Sequence, residues 1–112
     1  MAKVEIVKSL FRQIEAKFKG EAHKVVDLLE SLESSPHKGK LLTNVAGIVI
    51  KELKYKNFRF YFITDGFKLK CIDEKELTDL LLKFVRMSDK KRQQETINEI
   101  KHILIKIGAG GF

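Results

Sequence analysis

The sequence is sparing with covalent and conformational constraints. It holds one cysteine, Cys71, in 112 residues, so no disulfide can close within the chain and no Cys/His cluster has zinc-site spacing. Cys71 lies in an apolar run, where a small buried hydrophobe is expected rather than a nucleophile, and a lone thiol accords with a reducing cytosol. There is one proline, Pro36, and no repeat, linker or low-complexity tract to divide the chain. No apolar run approaches the roughly 20 residues that cross a bilayer. The opening residues Met1-Ala2-Lys3-Val4-Glu5 lack the apolar stretch of a signal peptide. A cytoplasmic protein with no membrane partner is therefore expected.

What is present is enough for one core. Hydrophobic residues make up 44% of the chain, and its length fits one domain spanning residues 1–112. A domain of this size buries about two-thirds of its unfolded surface, so neither a metal nor a disulfide staple is needed to hold it. Lysine and arginine number 22 against 15 acidic residues, a net charge of +7. Such an excess favours a polyanionic partner, either nucleic acid or an acidic protein segment.

Hydrophobic periodicity orders the chain as helices, a meander and a helix. Val4 to Lys8 reads as a short first strand, with Ser9 as an N-cap. Leu10, Ile14 and Phe18 recur at helical spacing up to Gly20. Val25, Leu28, Leu29 and Leu32 form a second stripe, which ends at Ser34-Ser35-Pro36 because proline disfavours a helical residue before it. A helical hairpin turning at Gly20 is expected. The β-branched run Ile48-Val49-Ile50, continuing to Leu53, then reads as sheet. Phe58, Phe60 and Phe62 alternate with Arg59, Tyr61 and Ile63 at the period of a strand. Asp65-Gly66 suits a hairpin turn, Phe67, Leu69 and Cys71 alternate in a further strand, and Asp73 to Asp79 reads as an acidic loop. Leu80 to Val85 supplies another strand. The last helix begins near Lys90, with Ile97, Ile100, Leu104 and Ile107 on one side. The expected class is α+β: an N-terminal helical hairpin and a C-terminal helix packed on one face of a small, curved antiparallel sheet.

The positive charge is concentrated. Lys51, Lys54, Lys56 and Arg59 stand against Glu52 alone, and Arg86, Lys90, Lys91 and Arg92 against Asp89 alone, a local +3 each time. If the meander sets these strands side by side, both clusters converge on one face and its rim. With the phenylalanines in the core, Arg59 and Tyr61 are expected on or near an exposed concave surface. Cations interleaved with tyrosine suit RNA, whose phosphates are neutralised while unstacked bases rest on rings.

Four segments, in order, carry a resemblance. Ser35-Pro36-His37-Lys38-Gly39-Lys40-Leu41-Leu42 is similar to the N-P-x-x-G-x-x-L segment that follows the helical hairpin in ParE- and RelE-like toxins. Ile50-Lys51-Glu52-Leu53-Lys54 resembles their x-x-E-L-R, and Asn57-Phe58-Arg59-Phe60-Tyr61-Phe62 their x-Y-R-x-x-Y. Leu82-Lys83-Phe84-Val85-Arg86-Met87-Ser88-Asp89-Lys90, with Glu95, resembles the HigB-type L-H-G-F-x-K-K-[ST]-x-K…E. Together they make the chain, from roughly Val4 to Ile107, similar to the RelE/ParE/HigB superfamily of toxins from toxin–antitoxin pairs. The chain departs from that pattern in several places: Lys83 stands where HigB-like members often carry histidine and Phe84 follows it with no glycine between, Thr96 aligns nearest to the late tyrosine of RelE-like members, and the Asp73 to Asp79 loop is longer than usual.

The resemblance implies a RelE-like fold and a growth-arresting toxin held in check by a cognate antitoxin protein. Most RelE- and HigB-like members are metal-independent endoribonucleases (mRNA interferases) that inhibit translation, often on the ribosome. A ParE-like minority poison DNA gyrase, and a degenerate member would only bind its antitoxin. For RNA cleavage the chain offers Arg59 and Arg86 as phosphate clamps and Lys54, Lys83 or Lys90 for proton transfer. Lys51, Lys56, Tyr61, Lys91 and Arg92 are the candidate RNA-binding residues. No metal or cofactor is expected.

Overall fold

A computed structural model describes residues 2–65 and 81–112. The Asp65-Gly66 turn, the Phe67 to Cys71 strand and the Asp73 to Asp79 loop expected from the sequence fall partly or wholly outside the described residues. In chain order the elements are β1 (Lys3–Ile6), α1 (Lys8–Lys17), a 3₁₀ turn at Lys19–Glu21, α2 (Ala22–Glu30) and a second 3₁₀ turn at Ser31–Glu33. Then follow β2 (Lys40–Val45), β3 (Ile48–Tyr55), β4 (Phe58–Asp65), β5 (Leu81–Asp89), α3 (Gln93–Lys106) and a last 3₁₀ turn at Ala109–Gly111. The class is α+β, as expected. The sheet order is β1-β5-β4-β3-β2, and β1 pairs with β5 in parallel, so the sheet is mixed rather than purely antiparallel. Among the described residues no helix is long and apolar enough to cross a membrane.

Register assigns every side chain on the central strands to a face, because successive residues alternate. Lys51 opposes Phe62, Leu53 opposes Phe60 and Tyr55 opposes Phe58 on one face; Ile50 opposes Ile63, Glu52 opposes Tyr61 and Lys54 opposes Arg59 on the other. The first face is covered by the N-terminal helices. Phe18, at the end of α1, meets Phe58 edge-on with centroids 5.2 Å apart and Tyr55 at 5.7 Å, and Leu10, Ile14, Val25, Leu29 and Leu32 are fully buried. The second face is covered by α3, whose Gln93 donates to Glu52 and whose Glu99 pairs with Arg86. The helices therefore pack on both faces, not one. The cause lies in β4: Phe58, Phe60 and Phe62 are apolar at one parity, but Tyr61 and Ile63 are apolar at the other, and both are buried.

One irregularity decides where β5 points its charges. Phe62 pairs with Phe84 but Tyr61 pairs with Arg86, leaving Val85 as an extra residue, a β-bulge. Beyond the bulge the parity is reversed. Leu82 and Phe84 join the α1/α2 face, whereas Arg86 and Ser88 lie with Tyr61 and Arg59 beneath α3.

Local details differ from the sequence reading in four places. Helix α1 starts at Lys8 with Val7 as its N-cap and no side-chain cap, so Ser9 is already helical; Val7 donates its N–H to the Phe84 carbonyl and the chain turns there. Leu28 is only half-buried, while Val25, Leu29 and Leu32 carry the α2 stripe. Ile107 ends α3 and is 71% exposed, leaving Ile97, Ile100 and Leu104 as its buried side. Periodicity does not mark strand β2, whose six residues are all exposed or half-buried, as befits a sheet edge. It joins β3 through Ala46-Gly47, both at positive φ, as a two-residue hairpin of the favoured twist requires.

Candidate nucleic-acid interface

The β3–β4 hairpin turns through two residues, Lys56 and Asn57, with Tyr55 paired to Phe58. This short turn places Lys54 directly across from Arg59, and Arg59 in turn faces Ser88 on β5. Strand β5 ends at Asp89 and the chain continues into Lys90 and Lys91 before α3. Hairpin tip and strand end thus enclose an open groove of about 470 Å³ lined by Lys54, Lys56, Asn57, Arg59, Asp89, Lys90 and Lys91. Five cations face one carboxylate there. The structure therefore brings together Lys54, Lys56 and Arg59 of the first basic cluster with Lys90 and Lys91 of the second, about 30 residues further along the chain.

The rim and floor of the groove differ. Lys54, Lys56, Lys90 and Lys91 are exposed. Lys56 holds φ at +51°, a left-handed conformation uncommon outside glycine and asparagine, and reaches Glu21 with Nζ–O distances of 2.9 and 3.0 Å. That hydrogen-bonded pair holds the Glu21 carboxyl below its usual range and the Lys56 ammonium above its own. Arg59 is at the floor. Its side chain is 10% exposed, with Nε 3.8 Å from Glu52 Oε2, and the same carboxylate oxygen accepts from Gln93 Nε2 at 3.1 Å. Arg59 therefore lines the groove as expected, but as a buried, charge-compensated residue instead of an exposed one, because α3 covers that face of the sheet.

The remaining candidates are elsewhere. Tyr61 is fully buried with its hydroxyl 2.7 Å from Ser88 Oγ; burial pushes its phenol pKa up, partly opposed by that hydrogen bond. It offers no ring for a base to stack on. Lys51 lies on the opposite face, 7% exposed, donating to the His37 carbonyl at 3.2 Å and standing over the Phe62 ring; desolvation lowers its pKa. It pins the segment before β2 and is not part of the groove. Lys83 pairs with Ile63, about 13 Å along β4 from Arg59, and donates to the Ala109 carbonyl. Arg86 is engaged three ways: Nε to Glu99 Oε1 at 2.7 Å, Nη1 to the Val85 carbonyl at 2.8 Å, and its guanidinium 5.2 Å from the Phe112 ring centroid. Arg86 and exposed Arg92 line a second cavity that meets the first at Asp89.

Sequence reasoning passed over Glu52, Gln93 and Ser88 as site residues. Glu52 could have been found by counting back from the hairpin: a two-residue turn at Lys56-Asn57 sets Glu52 against Tyr61, diagonal to Arg59. Gln93 and Ser88 needed the position of α3 and the bulge. Neither cavity lining includes a histidine, and among the described residues no group of three or more His, Cys, Asp or Glu could hold a metal. No family model, curated protein or solved structure matches the chain.

Proposed function

We propose that this protein is an RNA-directed toxin of the RelE/HigB type, a metal-independent endoribonuclease acting on mRNA in the cytoplasm and neutralised by a cognate antitoxin. The observation that carries this reading is the groove in which Lys54, Lys56, Arg59, Lys90 and Lys91 converge with Asp89 as the one carboxylate in the lining, Glu21 and Glu52 pairing Lys56 and Arg59 from outside it. Such a lining attracts a phosphate backbone, and release of condensed counterions makes the attraction salt-dependent.

The chemistry asked of it is within reach of these side chains. A base removes the proton from a ribose 2′-hydroxyl, and the 2′-oxygen attacks the adjacent phosphorus. The P–O5′ bond breaks as an acid protonates the departing 5′-oxygen, leaving a 2′,3′-cyclic phosphate and a 5′-hydroxyl. Lys54 and Lys90 are the proton-transfer candidates at the rim. Arg59 at the floor is the fixed charge for the phosphorane, since arginine stays protonated and can hold two phosphate oxygens. Lys83 has no part in this arrangement, and Arg86 serves it by bracing β5 against α3.

A gyrase-directed, ParE-like action is the second reading. The observation favouring it is that the groove holds neither a histidine nor an accessible tyrosine for acid–base work. Induction of the protein followed by primer-extension mapping of transcripts separates the two. Discrete new 5′ ends, lost in Arg59→Ala with the melting temperature monitored alongside, are expected. Growth arrest with intact transcripts and inhibited gyrase would transfer the assignment to the second reading.

A further inference from the structure

The second cavity is chemically unlike the first. It has a volume of about 570 Å³ and lies between α1, the end of β5 and the first turns of α3, within the roughly 300–1,000 Å³ range of small-molecule sites. Its charges balance: Arg86 and Arg92 stand against Asp89 and Glu99. Arg86 is already paired with Glu99, and the Asp89 carboxylate accepts the backbone N–H of Arg92 at 3.0 Å. A neutral lining of this kind gives a phosphate little reason to enter.

It does offer what a flat heterocycle needs. Half-buried Met87 supplies a polarisable wall, suited to the face of an aromatic ring. Gln13 from α1, Thr96 from α3 and the Arg92 guanidinium have no side-chain partner among the described residues, so their donors and acceptors remain open to a ligand. The two cavities share Asp89. A strand whose phosphates follow the lysines of the first groove can therefore turn its next base into the second.

We infer that this cavity is a nucleobase subsite that reads a purine of single-stranded RNA, Met87 against its ring and Gln13 and Arg92 at its edge. Purine follows from the side chains: glutamine pairs with two atoms of adenine, and arginine with two of guanine. Single-stranded RNA follows from access, because only an unstacked base can leave its neighbours to enter. The inference rests on the groove binding RNA.

The test is fluorescence anisotropy with short 2′-O-methyl oligonucleotides, which cannot be cut through the 2′-hydroxyl. Oligo-A is expected to bind about tenfold tighter than oligo-U, one bidentate contact's worth of discrimination. Gln13→Ala, at an exposed helical position, should lose most of that preference, with the loss falling on oligo-A. Lys91→Ala should weaken both oligomers by the same factor. Equal, salt-sensitive binding of oligo-A and oligo-U overturns the subsite and leaves the groove intact, as does a preference that survives Gln13→Ala. If neither oligomer binds even at low salt, the RNA reading of the groove fails, and the subsite with it.

Discussion

If the groove binds RNA as proposed, Glu52→Ala is expected to lower stability while raising RNA affinity. The Glu52 carboxylate is the only described group that compensates Arg59, whose side chain and its own are each 10% exposed. At 3.8 Å and an effective dielectric of about 20, the attraction is about 4 kcal/mol. Removing one partner of a buried pair costs about 3–5 kcal/mol, since a charge is left without its counterion. The long Nε–O contact and the solvent in the adjoining groove place this pair at the lower end, about 3 kcal/mol. The Gln93 hydrogen bond to the same oxygen is lost in the same step and is not additive with it. For a chain of this size such a loss lowers the melting temperature by about 10–15 °C. Circular-dichroism melts of Glu52→Ala, Arg59→Met and the double variant close the cycle, and the double variant is expected to be more stable than Glu52→Ala alone.

The same substitution removes the negative charge beneath the groove and frees Arg59 to meet a phosphate. RNA affinity at low salt should rise, and the slope of log affinity against log salt should steepen by about 0.7 for one added contact. Two results would refute the reasoning. A Glu52→Ala variant melting within about 1 kcal/mol of the parent would mean that water, not Glu52, satisfies Arg59. A folded variant that binds RNA more weakly would make the pair a positioning device, with Arg59 useful only where Glu52 holds it.

Other perturbations test other parts of the fold. Lys56→Gly relaxes the φ of +51°, which costs a side-chain-bearing residue about 1–2 kcal/mol; urea midpoints should hold or rise while RNA affinity falls. At Gly39, φ is +100° and an added Cβ would come within 2.9 Å of the Phe62 ring, so Gly39→Ala should destabilise by about 1–3 kcal/mol in the same assay. Tyr61→Phe should cost about 1 kcal/mol at neutral pH through the lost Ser88 hydrogen bond. Because burial raises the Tyr61 pKa, the fold favours the neutral phenol. That stability is present below the unfolded value of about 10 and is lost as pH rises through the folded one, so Tyr61→Phe should also flatten the alkaline decline seen in melts across pH 9 to 11.

What could and could not be read in the sequence follows from how local each signal is. The α2 stripe and the Phe58–Ile63 alternation are periodicities within one element: Val25, Leu29, Leu32, Phe60 and Phe62 are buried as they assert, but Leu28 is half-buried and the opposite side of β4, Arg59 and Tyr61, is buried as well. The meeting of Lys54, Lys56 and Arg59 with Lys90 and Lys91 needed only that β4 and β5 be neighbours. The facing of Arg86 was not local: Val85 is one residue too many against β4, and nothing in Phe84-Val85-Arg86 marks it as a bulge. Arg59 shows the limit most clearly. An exposed strand face is polar at each alternate position, yet of Arg59, Tyr61 and Ile63 only the first is charged. Those residues already pointed to a covered face, and a charged residue on a covered face needs a counterion within reach. The two-residue turn at Lys56-Asn57 delivers Glu52 to that position. It follows that the groove has a compensated floor and a rim in which Lys56 is paired with Glu21, while Lys54, Lys90 and Lys91 have no ion pair among the described residues. On the RNA reading proposed above, net attraction for a phosphate is expected to reside mainly in those three lysines, with Arg59 reached only after they have brought the phosphate in.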